Sequence, residues 1–176
     1  MMEAVDIFSA VTKKQEETAI YGKKILISAG PTREAIDPVR FVTNYSSGKM
    51  GYALAEVAEQ LGAEVTLVSG PTQLEKPAHV IFKAVQSTEE MYQALVSSFE
   101  EADIVIMAAA PADYTPAVYQ HEKIKKTEGN LVVEFERTQD ILYHLGQAKT
   151  HQILVGFAAE SNDLLENATK KLKRKN

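Results

Sequence analysis

Lys24-Ile25-Leu26-Ile27-Ser28-Ala29-Gly30-Pro31-Thr32 and Val65-Thr66-Leu67-Val68-Ser69-Gly70-Pro71-Thr72 are the two stretches that decide the fold. Each is a short, almost continuous apolar run ending in Gly-Pro or Ser-Gly-Pro, the pattern of a strand buried on both faces and followed by a turn. Because Ser-Ala-Gly-Pro-Thr is echoed by Val-Ser-Gly-Pro-Thr, both exits are expected on one edge of one sheet. Between them, after a polar loop from Thr32, a helical pattern begins near Gly48. It carries Leu54, Val57, Ala58 and Leu61 at helical spacing and Gly62 as its C-cap. Strand, helix and strand of this length predict a parallel pair joined by a right-handed crossover.

The same alternation continues outward. Val80–Val85 reads as a third strand, Thr88–Phe99 as an amphipathic helix capped by Ser87 or Thr88, and Asp103–Ala110 as a very apolar fourth strand. A strand over Leu131–Glu136, a helix from Asp140, a strand over Ile153–Ala159 and a last helix from Asn162 complete the chain. Residues 1–22 read as a leader or linker, and 23–176 as one domain. The expected architecture is α/β, a three-layer Rossmann-like fold with a mostly parallel sheet.

Composition narrows the function. The 176 residues, 45% hydrophobic and 24% charged, suit a folded globular domain and neither a disordered nor a fibrous chain. A net charge of -5 with both signs dispersed gives no positive field for nucleic acid. No apolar run approaches the roughly 20 residues that span a bilayer, so no membrane partner and a cytoplasmic setting are expected. The chain has no cysteine, which excludes disulfides, zinc–thiolate sites and a cysteine nucleophile. His79, His121, His144 and His151 lack metal-ligand spacing and are assigned no role.

In open parallel sheets ligands bind beyond the carboxyl ends of the strands, and the informative residues cluster there. Ser46-Ser47-Gly48-Lys49-Met50-Gly51 opens the first helix, where free amides and the dipole favour an anion. Taken alone it suits a helix cap as well as a phosphate cradle. It is not a Walker A loop, since Met50 follows Lys49 where Ser or Thr is required, and no Gly-x-Gly-x-x-Gly follows the first strand. A nicotinamide oxidoreductase is disfavoured for the same reason. Asn44 offers an amide to an oxyanion or acyl oxygen, or serves a turn. Arg40 suits a phosphate or carboxylate clamp or a surface position. Asp113, after an apolar strand, suits a sugar, base or metal contact, or a turn cap. Lys123-Ile124-Lys125-Lys126 reads as a loop of solvated charge or as a flap over phosphates. The basic end, with Lys171 and Lys175, reads as a solvated helix terminus.

Together, Gly30-Pro31-Thr32-Arg33-Glu34, Asp37-Pro38-Val39-Arg40, Asn44 to Gly51, Ala108 to Asp113, Lys123 to Lys126 and Gly156-Phe157-Ala158-Ala159-Glu160 run in an order that resembles the phosphopantothenoylcysteine synthetases. These form the ligase half of bifunctional DNA/pantothenate metabolism flavoproteins. The resemblance implies a ligase of coenzyme A biosynthesis: 4′-phosphopantothenate is activated by CTP as an acyl-cytidylate, and cysteine then displaces CMP. It implies that Asn44 holds the acyl-cytidylate and that Lys123 is a mobile catalytic lysine. Arg40, Ala109 and Ala110 would line the phosphopantothenate side. Gly30, Ser46, Ser47, Gly48, Asp113, Lys123, Gln139, Asp140, Ile141, Leu142, Phe157, Lys171 and Lys175 would serve the nucleotide. It further implies Mg2+ with CTP, no FMN in this part, a homodimer, and fusion to or association with a flavin-dependent decarboxylase. Thr138-Gln139-Asp140-Ile141 departs from the family's usual Asn-Pro-Asp-Ile at that turn. The family pattern continues with further strands beyond Asn176, so the chain is expected to be truncated. The alternative is a nucleotide-binding α/β module that does not turn over.

Overall fold

A computed structural model describes residues 18–126 and 128–157. Five parallel strands form the central sheet: β1 (Lys24–Ala29), β4 (Glu64–Ser69), β5 (Ile81–Ala84), β6 (Ile104–Met107) and β9 (Ile153–Gly156). Their order is β5-β4-β1-β6-β9. The chain winds outward from β1 in one direction through β4 and β5, then returns to the other side of β1 for β6 and β9. The reversal lies between β1 and β6, the place where such sheets open a ligand crevice.

Alternation along the strands divides the core into two layers. Ile25, Ile27 and Ala29 of β1, with Val65 and Leu67 of β4, pack on Tyr52, Ala55 and Ala58 of helix α1 (Lys49–Gln60). On the other face, Leu26, Val68, Val105 and Met107 meet Met91, Leu95 and Phe99 of α2 (Thr88–Phe99) and Ile141 and Leu145 of α3 (Ile141–Ala148). With helices on both faces of a parallel sheet, the chain has the expected three-layer Rossmann-like fold. Isolated helices of 12 residues are marginal in water, so α1 and α2 depend on this burial.

The local signals explain most boundaries. Ser87 caps α2 by accepting from Glu90 N–H at 3.1 Å, while Glu90 Oε2 accepts from the N–H of Gln86, the residue before the cap, at 2.6 Å. Gly62, at φ 87°, follows the last turn of α1 and donates to Glu59 O at 2.8 Å. The buried stripe of α1 matches the sequence expectation in part. Ala58 is buried and Leu54 packs against the core as expected, whereas Val57 and Leu61 are exposed and Tyr52 and Ala55 face the sheet. Small side chains let the helix approach β1 closely, and that contact outweighs the larger apolar residues. Residues 18–22, the end of the expected leader, turn back on this layer: Gly22 N–H donates to Gly62 O at 2.8 Å and Ile20 packs on the core.

Two short antiparallel hairpins lie outside the sheet. The polar loop expected after Thr32 contains β2 (Arg33–Ala35) paired with β3 (Phe41–Thr43). The strand expected over Leu131–Glu136 is displaced: β8 (Phe135–Arg137) pairs with β7 (Tyr114–Pro116), and Leu131 and Val132 are exposed. Apolar β-formers there find no neighbouring strand, because β9 already occupies the free side of β6.

A Cβ at Gly70 would overlap the carbonyl oxygen of Pro31. Gly70→Ala should therefore destabilise the domain by about 3 kcal/mol, the upper end of overpacking costs, seen as a lower urea midpoint. At the other end of the sheet, Asp103 Oδ2 accepts from Lys24 N–H at 2.9 Å, with Lys23 Nζ 3.4 Å from Oδ1. The Lys24 amide bond is the main cause that holds the Asp103 carboxyl below its usual range, with the Lys23 charge adding to it against partial burial. A depressed pKa stabilises above the unfolded value of about 3.9 and is lost as pH falls through the folded one. Asp103→Asn should accordingly show a Tm deficit at pH 7 that closes below about pH 4.

Candidate active site

Buried polar side chains are concentrated where β1 ends. Thr32, Glu34, Asp37, Ser28, Ser69 and Thr88 are all at most 4% exposed. Ala112 N–H donates to Thr32 Oγ1 at 2.9 Å, Thr32 and Thr88 share a hydrogen bond of 2.9 Å, and Thr88 Oγ1 donates to Glu34 Oε1 at 2.9 Å. The one proton of Thr88 has Glu34 Oε1 and, at 3.2 Å, Ala112 O as acceptors, so when Thr88 donates onward the bond it shares with Thr32 uses the Thr32 proton. The same Glu34 oxygen accepts from Thr88 N–H at 2.9 Å, satisfying a free amide of the first turn of α2.

This network fixes the loop after β6 beside the loop after β1. Ala110 N–H donates to Gly30 O at 2.9 Å, Pro31 bridges to Ala110, and Ala109 N–H donates to Ser28 Oγ at 3.2 Å. Asn44 is drawn to the same seam: its Nδ2 donates to Pro111 O at 2.9 Å and to Ala110 O at 3.4 Å. The anticipated amide is thus oriented by two carbonyls of the loop.

Clefts open on both sides of the seam. One, of about 410 Å³, is lined by Pro31, Thr43, Asn44, Ser46, Ser47 and Lys49 among others. At its edge α1 begins at Gly48, whose φ of 76° puts it in the left-handed region and which provides no side-chain cap. Ser46 Oγ and Ser47 Oγ stand 3.4 and 3.5 Å from the Gly48 and Lys49 amides, at the limit of hydrogen bonding. A weakly capped helix start lined by hydroxyls is a surface that an anion can complete. The other cleft, of about 560 Å³, collects Ala109, Asp113, Gln139, Asp140, Ile141, Leu142 and Phe157. Its size suits a small organic ligand. Asp140 also caps α3, accepting from Tyr143 N–H at 3.2 Å.

The remaining anticipated residues are distributed as follows. Gly30 lies at the seam with φ 72°. Arg40 is half-buried and donates through Nη2 to Ile124 O at 3.0 Å, next to the exposed Lys123. Lys171 and Lys175, with Ala158, Ala159 and Glu160, lie outside the described residues. The sequence offered Thr88 only as a candidate helix cap, and gave Thr32, Glu34 and Asp37 no site role beyond their place in the family stretches. Their available signal was polar residues flanking apolar strands and the Asp-Pro turn. Burial pushes the Asp37 carboxyl up, but the amides of Val39, Ile124 and Arg40 and the charge of Arg40 outweigh it and hold it below the usual range. A further cavity, of about 310 Å³, lies at the opposite end of the sheet. Both of its lysines are engaged, Lys24 with Glu101 and Lys83 with Ser97 and Ser98. Among the described residues, no three His, Cys, Asp or Glu side chains converge as for a metal ion, and no helix is long and apolar enough to cross a membrane.

Comparisons with known proteins place the chain in a family by sequence and by fold. The coenzyme A biosynthesis bifunctional protein CoaBC of Bacillus subtilis (strain 168) is 54% identical over 164 residues, 92% of this chain and 40% of that protein. A cysteine/cysteine sulfinic acid decarboxylase from an unknown prokaryotic organism is 49% identical over 176 residues, 99% of this chain and 48% of that protein. The chain thus spans less than half the length of these relatives. The crystal structure of the C-terminal domain of a CoaBC protein superposes with a TM-score of 0.80 at 55% identity, covering 89% of this chain and 74% of that one. The pattern of the DNA/pantothenate metabolism flavoprotein C-terminal domain matches residues 20–176, and the chain belongs to that family.

Proposed function

We propose that the chain is a phosphopantothenate–cysteine ligase that uses CTP. The observation that carries the reading is the position of Asn44, whose amide is held at the seam between an anion-ready helix start and a second cleft. Descent from a coenzyme A biosynthesis family supports the substrate class.

In the first step a carboxylate oxygen of 4′-phosphopantothenate attacks the α-phosphorus of CTP, and the bond to pyrophosphate breaks. In the second, the cysteine amine attacks the acyl carbon, the bond to CMP breaks, and the amine gives up a proton. Neither step needs a protein nucleophile, so positioning and electrostatics carry the catalysis. Ser46, Ser47 and the Gly48 amide would take nucleotide phosphate, with Gly30 beneath them. Asp113, Gln139, Asp140, Ile141, Leu142 and Phe157 would take the rest of the nucleotide. Arg40, Ala109 and Ala110 would face phosphopantothenate, Asn44 would hold the acyl-cytidylate, and Lys123 would offset developing charge. Lys171 and Lys175 complete the proposed nucleotide set.

Asp113 and Asp140 are carboxylates lining the nucleotide cleft. Asp140 already caps α3 and no third acid joins the two among the described residues, so Mg2+ would be held mainly by phosphate and water. When bound with CTP, Mg2+ would neutralise charge on the pyrophosphate. A homodimer and a flavin-dependent decarboxylase, fused or associated, belong to the same reading.

The test is pyrophosphate release with phosphopantothenate, CTP against ATP, followed by cysteine. Release that needs both CTP and phosphopantothenate is expected. CTP binding without release would favour a non-catalytic module, and CO2 release from cysteine would favour the reaction named for the second relative. Asn44→Ala should still release pyrophosphate but make little amide product, measured by chromatography of the thiol product. Full cysteine ligation by that variant would remove Asn44 from this role.

A further inference from the structure

Asp37 is buried to 2% exposure and every bond it makes is structural rather than open to a cleft. Its Oδ1 accepts from the Val39 and Arg40 amides, each at 2.8 Å, which closes the turn between β2 and β3. Its Oδ2 accepts from Ile124 N–H at 3.1 Å, with Arg40 Nη1 at 3.4 Å. Arg40 Nη2 meanwhile takes Ile124 O at 3.0 Å. Both main-chain groups of Ile124 are therefore held by one acid–arginine pair, 84 and 87 positions away in sequence. A second tie lies four residues earlier, where Gln120 N–H donates to Ile36 O at 2.9 Å. Lys123 sits between these two ties.

We propose that Asp37 is a positioning residue for Lys123: its carboxylate, with Arg40, clamps the backbone of Ile124 and so sets where the Lys123 ammonium can reach. The proposal rests on the ligase reading of Lys123. It alters one feature of that reading, because the lysine stands on the anchored stem of its loop. Arg40 enters both halves of the reaction geometry. The guanidinium proposed for phosphopantothenate is also the one that fixes the lysine, so binding at Arg40 and placement of Lys123 share a side chain.

The test uses Asp37→Asn in the full native chain. The asparagine keeps an oxygen for the turn amides but presents N–H to Ile124, which it cannot accept. Hydrogen exchange over residues 120–126 should quicken by about ten-fold while the β1 and β4 amides are unchanged, the signature of local opening. In the pyrophosphate assay kcat should fall by about ten-fold, as small misplacements of reacting groups do, with KM for CTP within about two-fold. In a Lys123→Gln background the same substitution should cost less than about two-fold, since both changes act through one group. Unchanged exchange over 120–126, or an equal loss of kcat with and without Lys123, would overturn the proposal. Wild-type protein that releases no pyrophosphate while the exchange result holds would overturn the ligase reading and leave Asp37 as an anchor alone.

Discussion

The directed hydrogen-bond chain from Ala112 N–H through Thr32 and Thr88 to Glu34 is the constraint on which the carboxyl edge of the sheet depends. It joins the exits of β1 and β6, already neighbours through strand pairing and the Ala110–Gly30 hydrogen bond, to the start of α2. Every member is buried, and an unpaired buried polar group costs more than a hydrogen bond contributes. The network therefore specifies one arrangement of the loops above the sheet and penalises its neighbours. Asn44 inherits its orientation from it, since the carbonyls that hold its amide belong to the loop the network fixes.

The central sheet and its helices were legible in sequence because their signals are local. Lys24–Ala29 and Glu64–Ser69 follow from apolar runs ended by Gly-Pro, and α2 from Ser87 with Glu90. The hairpins were not. Phe41 and Val42 carry strand propensity, but three residues of pairing leave too little periodicity to read, and Leu131 and Val132 carried the same propensity without a partner. α1 shows a different, partial failure, since its buried stripe was decided by how closely the helix can approach β1 rather than by residue hydrophobicity.

For the candidate site, position was easier to anticipate than support. The residues from Asn44 to Lys49 and from Gln139 to Leu142 follow the hairpin strands β3 and β8, not strands of the parallel sheet, and they line two clefts beside the seam between the β1 and β6 exits. What sequence could not reveal is which polar residues face inward. Glu34 and Asp37 look like surface charges of a polar loop, yet both are buried, and each fixes a segment more than 50 positions away. Such long-range ties depend on tertiary placement, which has no counterpart in local spacing.

The two Gly-Pro-Thr exits that first suggested the fold have diverged in use. Thr32 spends its hydroxyl in the buried network, whereas Thr72 donates to Tyr52 OH at 3.0 Å and turns its methyl toward Gly30 and Gly48. A Cβ on either glycine would lie within 2.8 or 2.7 Å of that methyl. Substitutions at positions 30, 48 and 72 are consequently not independent events. Drift at any one is admissible only against a restricted background at the other two, and the three should vary as a single unit among descendants of this sequence.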